Sequence, residues 1–284
     1  MNFSKLTETE LKEALMLKER LDGFATQDKC QNDFLSYVEH MWPEFICGRH
    51  HKIFAEKLNK VASGEIKRLI VNMPPRHTKS EFASTFFPSY IMGKKPKMKI
   101  MQTTHTGELA VRFGRKVRNL MDQKEYKDVF PEVKLQADNK SAGRWETNKG
   151  GEYFAAGVGG AVTGRGADLL IIDDPHSEQD ALSPNALESA WEWYTSGPRQ
   201  RLQPGGAIVL VMTRWSAIDL TAKLLDSQKE PLADQWEMIE FPAIFPETDN
   251  PLWPEFWPKD ELLKVKSSIP GIKWNAQWMQ NPTA

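Results

Sequence analysis

Residues 68–80 read Arg68-Leu69-Ile70-Val71-Asn72-Met73-Pro74-Pro75-Arg76-His77-Thr78-Lys79-Ser80. An apolar, β-branched run ends in a proline turn, and Lys-Ser then opens a segment of helical composition. This is the layout of a phosphate-binding loop, whose usual form is G-x-x-x-x-G-K-[ST]. With Lys79 and Ser80 aligned, Met73 and Thr78 stand where the two glycines belong. A triphosphate needs inward-pointing backbone N–H groups, a mobile cation on its β and γ phosphates and a hydroxyl for Mg²⁺. Residues 76–80 supply amides at a helix N-terminus whose dipole favours anions. Lys79 supplies the cation and Ser80 the hydroxyl. Pro74 and Pro75 stiffen the approach but donate nothing. The expected nucleotide contacts are therefore Pro75, Arg76, His77, Thr78, Lys79 and Ser80. Thr78 is the difficulty, because a β-branched residue resists the positive φ that glycine permits. The competing reading is a plain strand–turn–helix with a surface lysine.

The rest of the chain bears on that choice. Its 284 residues suffice for one large domain or two small ones, and 40% apolar residues allow a sizeable core. The formal net charge of -1 excludes a global basic field, so nucleic acid would have to meet a local patch. Cys30 and Cys47 lack metal-ligand spacing and read as ordinary thiols of a reducing compartment. No apolar run approaches the roughly 18 residues of a membrane span, and the charged N-terminus lacks a signal-peptide core. A soluble intracellular protein is expected.

Helical patterns cover residues 7–22, with Thr7 and Glu10 as a capping box, then about 31–41 and 50–62, the last ended by Ser63-Gly64. Strand 67–73 precedes a helix from about residue 79, which Pro88 should kink or end. Strands are expected at 98–104, 153–158, 168–172, 207–212 and, more weakly, 236–241. Between them lie a basic helix at 106–123, a helix begun by Ser183-Pro184, and one capped by Ser216 with Asp219. Alternating strands and helices imply an α/β fold with a parallel sheet covered on both faces. Beyond Phe241, prolines and tryptophans crowd a segment with little periodicity beyond a helix at about 259–266. It reads as a wrapping segment or linker without a core of its own.

Three further segments carry chemistry. Leu169-Leu170-Ile171-Ile172-Asp173-Asp174 places two carboxylates at the C-terminal end of a buried strand, the edge where open parallel sheets bind ligands. Asp173 can hold Mg²⁺ through its water shell and Asp174 can orient or deprotonate a water; the alternative is a solvated Asp-Asp-Pro turn. Ile208-Val209-Leu210-Val211-Met212-Thr213-Arg214-Trp215 ends another buried strand in a hydroxyl able to sense a γ phosphate, or simply in polar residues. Gly159-Gly160-Ala161-Val162-Thr163-Gly164-Arg165-Gly166 presents one arginine on a flexible loop, which suits an arginine finger or a glycine hairpin with a solvated side chain.

Together these segments resemble the ATPase domain of bacteriophage large terminases, the DNA-packaging motors. The resemblance rests on Pro-Pro-Arg-His-Thr-Lys-Ser, Thr-Gly-Arg-Gly-Ala-Asp-Leu-Leu-Ile-Ile-Asp-Asp-Pro and Thr-Arg-Trp, in that order, and covers roughly residues 30–284. It implies a P-loop NTPase of the RecA/ASCE-like kind: a helical extension over 1–48, an ATPase core over 49–241, and a C-terminal subdomain or linker over 242–284. It implies ATP and Mg²⁺ as cofactors, with Lys79 and Ser80 on phosphate and metal, Asp173 as the metal-associated acid and Thr213 as the coupling threonine. Arg76 matches the arginine common in the middle of the family's loop. Arg165 matches an arginine acting on a neighbouring subunit. The implied partners are double-stranded DNA, a portal protein on the procapsid, a small terminase subunit and further copies in a ring, in the host cytoplasm and without a membrane. Two departures stand out. The family's catalytic glutamate is here Asp174, one methylene shorter, which leaves Glu178 as a rival base. The family's C-terminal nuclease domain has no counterpart before Ala284, so an ATPase fragment without nuclease activity is expected.

Other residues keep two readings each. His50 and His51 belong to an adenine-side element or to packing, and His105 ends a strand near the nucleotide edge. Arg112, Arg115, Lys116 and Arg118 track DNA phosphates or form a solvated face. Arg199 and Arg201 reach nucleotide or a neighbour, or neither. Most of the ten tryptophans are expected to pack the core and the C-terminal wrap rather than stack on bases. A helicase-like or other P-loop ATPase, and a non-catalytic nucleotide- or DNA-binding module, are the alternative functions.

Overall fold

The computed structural model describes residues 7–162 and 164–283; residues 1–6 of the expected extension, Thr163 of the glycine loop and Ala284 lie outside the described residues. Eight strands form one sheet: β1 (Arg68–Asn72), β2 (Lys99–Thr104), β3 (Leu135–Ser141), β4 (Arg144–Thr147), β5 (Glu152–Gly157), β6 (Ala167–Asp173), β7 (Leu202–Met212) and β8 (Glu237–Glu240). Their order is β3-β4-β5-β2-β6-β7-β1-β8. The six strands from β5 to β8 run parallel. The hairpin of β3 and β4 adds antiparallel strands at the β5 edge.

Side chains alternate across the central strands and feed a core on each face. Leu69, Val71, Leu169, Ile171, Val209 and Val211 face the helices Phe34–Met41, Arg49–Ser63 and Phe87–Lys94. Ile70, Leu170, Ile172, Ile208 and Leu210 face Tyr194, Leu220 and Leu224 of Pro184–Ser196 and Leu220–Ser227.

Local signals act largely as expected. Thr7 and Glu10 form the capping box of Glu8–Asn32, and Gly64 ends Arg49–Ser63 in the left-handed region at φ 85. Ser183 caps Pro184–Ser196 by accepting the Ala186 N–H. The structure departs from the sequence reading in four places. Pro88 neither ends nor sharply breaks its helix: the chain widens into a π-helical stretch at Glu81–Phe86 and continues as Phe87–Lys94, which absorbs the missing N–H. The cap of Leu220–Ser227 is Asp219 itself, accepting from the Ala222 N–H, not Ser216. The β3–β4 hairpin has no counterpart in the expected elements. The C-terminal segment builds a small core of its own from Ala243, Ile244, Leu262, Trp274 and Trp278. Trp145, Trp253, Trp274 and Trp278 are all buried packing residues. Among the described residues no helix is long and apolar enough to cross a membrane.

Candidate nucleotide site

The loop between β1 and the following helix takes left-handed conformations without the expected glycines. Arg76 and Thr78 both take positive φ, 59 and 82. Thr78 thus adopts the conformation that made it a poor substitute for glycine, and the surroundings must hold it there. Those surroundings are aromatic. The His77 ring is fully buried, its Nδ1 lies 2.8 Å from Pro75 O, and it stacks on Trp257 with 5° between planes. Trp257 Nε1 donates to Arg76 O at 3.2 Å, and His50 Nε2 lies 3.1 Å from His77 O. His51 Nδ1 accepts the Gly48 N–H. Burial depresses His50 to about 4 and His77 to about 3, so both are neutral props. Both His50 and His51 are buried packing residues; His50 meets the loop at His77 O, and His51 packs against Phe45, Phe82 and Trp253.

Lys79, only 8% exposed, reaches across the loop to place Nζ 3.1 Å from Asp174 Oδ2. Burial opposes its charge, but Asp174 and Asp173 together raise its pKa above the ordinary lysine value. Asp173, at the end of β6, is buried. Its Oδ1 accepts from Ser80 Oγ at 3.0 Å and its Oδ2 from Ser84 Oγ at 2.6 Å. Burial first, and then the charge of Asp174, push the Asp173 carboxyl well above the usual carboxylate range, against the pull of Lys79 and the two hydroxyls. Asp174 follows in a left-handed conformation, φ 41. That turn aims its side chain back at β7, where Oδ1 accepts the Thr213 N–H at 2.9 Å.

The strand order explains why Thr213 is central. β7 lies between β1 and β6, so its C-terminal end emerges between the phosphate loop and the acids. Thr213 bonds both neighbours: its Oγ1 donates to Met73 O at 3.0 Å while its N–H serves Asp174. The next residues are pinned as well. The Arg214 N–H donates to Gln280 Oε1, Arg214 Nε to Asp219 Oδ2, and the Leu220 N–H to His176 Nε2. Gln280 and His176 are buried, and neither has a local sequence signal that marks it.

The other expected site residues divide between the edge of this site and positions away from it. The Arg165 guanidinium sits 4.5 Å over the Phe154 ring. Glu178 is exposed and paired with Lys273 Nζ at 2.8 Å, and it shares a cavity lining with Lys79 and Asp174. His105 Nδ1 lies 3.1 Å from Asp174 O, which makes it a neighbour of the acid turn through the main chain. Arg199 is engaged by Asp234 at 2.6 Å, not by the loop. Arg112, Arg115 and Lys116 face solvent on Gly107–Met121.

Two cavities flank the loop. One of about 250 Å³ is lined by Pro75, Lys79, His105, Asp174, Glu178 and Thr213. The other, about 200 Å³, is lined by Arg76 and Thr78 with Trp42, Phe45, Trp253 and Phe256. The first presents a cation, two acids and a hydroxyl, and the second an aromatic cradle with Glu44 and Glu81 beside it. Among the described residues there is no cluster of three or more His, Cys, Asp or Glu side chains that would hold a metal alone. Ser80 and Asp173 instead offer two hard oxygen donors, the partial set that suits an Mg²⁺ ion keeping waters and phosphate oxygens as its other ligands.

No protein-family model and no curated protein matches the chain. Its structure is similar to that of the HK97 bacteriophage large terminase, with a TM-score of 0.57 and 11% identity over 89% of this chain and 55% of that one. A variant of the Thermus phage P74-26 large terminase ATPase domain matches with a TM-score of 0.50 and 14% identity, over 78% of this chain and 93% of that one. A large terminase from a thermophilic bacteriophage, solved in complex with ADP, matches with a TM-score of 0.50 and 11% identity, over 79% of this chain and 53% of that one. The chain thus spans about half the length of two of these large terminases and nearly all of an isolated ATPase domain. It has the P-loop α/β fold of these ATPase domains.

Proposed function

We propose that this chain is the ATPase motor domain of a viral large terminase, hydrolysing ATP to drive double-stranded DNA into a procapsid. The observation that carries the reading is the pair of hydrogen bonds that Thr213 donates, from Oγ1 to Met73 O in the phosphate loop and from its N–H to Asp174 Oδ1 in the acid turn. Nucleotide binding alone needs no link between a loop, an acid and the start of a further element; a motor does. The fold shared with phage terminase ATPase domains supports the reading, and one such terminase was solved with ADP.

On this reading the loop amides of residues 76–80 and the Lys79 ammonium hold the phosphates, and Lys79 exchanges Asp174 Oδ2 for them. The freed Oδ2 takes a proton from a water whose oxygen attacks the γ phosphorus. The bond from that phosphorus to the β–γ bridging oxygen breaks and ADP is left. Ser80 and Asp173 would hold Mg²⁺, which would offset charge on the phosphate oxygens. The aromatic cradle of Trp42, Phe45, Trp253 and Phe256 takes the base. Arg165 acts on the site of a neighbouring copy in a ring. Loss of the γ phosphate releases Thr213 and, through Arg214, Asp219 and Leu220, shifts Leu220–Ser227. Residues 49–241 form the motor core, 1–48 a helical extension and 242–284 a C-terminal subdomain. The small terminase subunit, the portal and duplex DNA are the partners, in the host cytoplasm.

The test is phosphate release with and without duplex DNA, comparing wild type with Lys79→Ala. Loss of the phosphate cation should slow turnover by about 100-fold or more. Turnover that survives Lys79→Ala sinks the enzymatic reading. Binding of ATP without turnover by the wild type, even with DNA and at high protein concentration, favours a non-catalytic nucleotide-binding module.

A further inference from the structure

Ser84 lies one helical turn beyond Ser80, in the π-helical stretch Glu81–Phe86, and Gln102 lies on β2, the strand beside β6. Both side chains are fully buried, as is Asp173 apart from 1% of its surface. Gln102 Nε2 donates to Ser84 Oγ at 2.8 Å, and Ser84 Oγ donates to Asp173 Oδ2 at 2.6 Å. A serine hydroxyl carries one proton. With the Gln102 amide donating to its oxygen, that proton is directed at Asp173. An amide–hydroxyl–carboxylate chain of this polarity strengthens each bond along it in a low-dielectric setting.

The arrangement is selective in what it satisfies. Gln102 Oε1 is buried without a hydrogen-bond partner. An apolar side chain at this position would avoid that cost, so the amide is kept for its donor. The relay takes Asp173 Oδ2 and leaves Oδ1 on the side of Ser80, whose Oγ it meets at 3.0 Å.

We propose that Ser84 and Gln102 are positioning residues for the nucleotide's Mg²⁺: they anchor Asp173 Oδ2 so that Oδ1 and Ser80 present a fixed pair of oxygen donors. The proposal rests on the nucleotide-site reading above and adds two residues to it. A purely structural network would affect folding; a positioning network affects how much Mg²⁺ is needed to tighten ATP binding.

The experiment titrates a fluorescent ATP analogue against the whole chain at increasing Mg²⁺, beside a thermal melt of each variant. In Ser84→Ala, affinity in EDTA should stay within about twofold of wild type while the Mg²⁺ concentration for half-maximal tightening rises roughly tenfold, the effect of losing one hydrogen bond to a carboxylate. Ser84→Thr, which keeps the hydroxyl, should retain the wild-type requirement. Gln102→Met keeps the volume and removes both the donor and the orphaned carbonyl. Its melting temperature should hold or rise while its Mg²⁺ requirement rises about threefold or more. If Ser84→Ala does not fold, Gln102→Met and Ser84→Thr decide. An unchanged Mg²⁺ requirement in the folded Ala and Met variants, with wild type showing Mg²⁺-dependent tightening, overturns the relay and leaves the nucleotide site standing. A wild type whose ATP binding ignores Mg²⁺ overturns the relay and the Mg²⁺ role of Ser80 and Asp173, and a wild type that binds no ATP analogue overturns the nucleotide site itself.

Discussion

Lys79 Nζ lies 3.1 Å from Asp174 Oδ2, so the cation and the acid of the site satisfy each other. The other Asp174 oxygen accepts the Thr213 N–H at 2.9 Å. On the proposed reading ATP competes with Asp174 for Lys79, and its binding frees the Asp174 oxygen that takes a proton from water.

Asp174→Asn separates the two roles. The amide oxygen can still accept from the Thr213 N–H, while the charge that holds Lys79 back from phosphate is gone. ATP affinity should equal or exceed wild type, and turnover should fall about 10²–10⁴-fold, the usual worth of a general base. Glu178→Gln tests the rival: Glu178 lines the same cavity but is exposed and tied to Lys273, and turnover there should change by less than about twofold, as for a surface ion pair. Equilibrium binding and phosphate release read both. Collapse of turnover in Glu178→Gln with survival in Asp174→Asn would exchange the assignments.

Thr78 sits at φ 82, where a β-branched residue is strained by about 1–3 kcal/mol. Thr78→Gly removes that strain but adds chain entropy to the unfolded state, an opposing effect of about 0.5–1 kcal/mol. The net expectation is a folded state more stable by about 1 kcal/mol, read by denaturant midpoint. Because the backbone amide is unchanged, ATP affinity should stay within about twofold. Sharply weaker binding would make the threonine side chain a working part of the loop.

The neutral histidines behind the loop make stability pH-dependent. Burial pushes His50 down to about 4 and His77 down to about 3 in the folded chain, from the ordinary imidazole value of 6.5. Between these values the unfolded chain binds more protons, so stability rises with pH through that window and is lost on acidification. Going from pH 7 to pH 5 should cost about 2 kcal/mol per histidine. Denaturant titrations at the two pH values test this. His50→Phe should reduce the acid sensitivity; an unaltered slope would mean that His50 is not buried as neutral imidazole.

How much of this was legible in the sequence depends on whether a signal is local. The apolar runs of β6 and β7 and the Pro-Pro-Arg-His-Thr-Lys-Ser turn announce themselves because burial on both faces and turn chemistry are written residue by residue. β3 and β4 escaped because Leu135–Ser141 and Arg144–Thr147 are short and polar, with too few apolar residues to alternate. The C-terminal core escaped because its tryptophans and prolines carry no period. Thr213 was visible as a strand end, but its bonds to Met73 and Asp174 depend on β7 lying between β1 and β6, an order that no local pattern encodes. Ser84, Gln102, His176 and Gln280 are single polar residues that acquire a role only when distant segments meet.

Arg165 tests the assembled machine. Its guanidinium rests on Phe154, 4.5 Å from the ring centroid, a partner that keeps the charge beside an aromatic face. An arginine acting in cis should be drawn to the phosphates by its own site, whereas one acting in trans waits for a neighbour. Arg165→Ala alone should lower turnover about 10³-fold or more, as for a transition-state arginine. Mixed in equal amounts with Lys79→Ala, also inactive alone, it should recover about a quarter of wild-type turnover, because a quarter of head-to-tail interfaces then pair an intact Lys79 with an intact Arg165. The assay is phosphate release from mixed subunits at concentrations where copies associate. Recovery requires the arginine to cross between subunits. Its absence, with association verified by sedimentation, would assign Arg165 to its own site or to none.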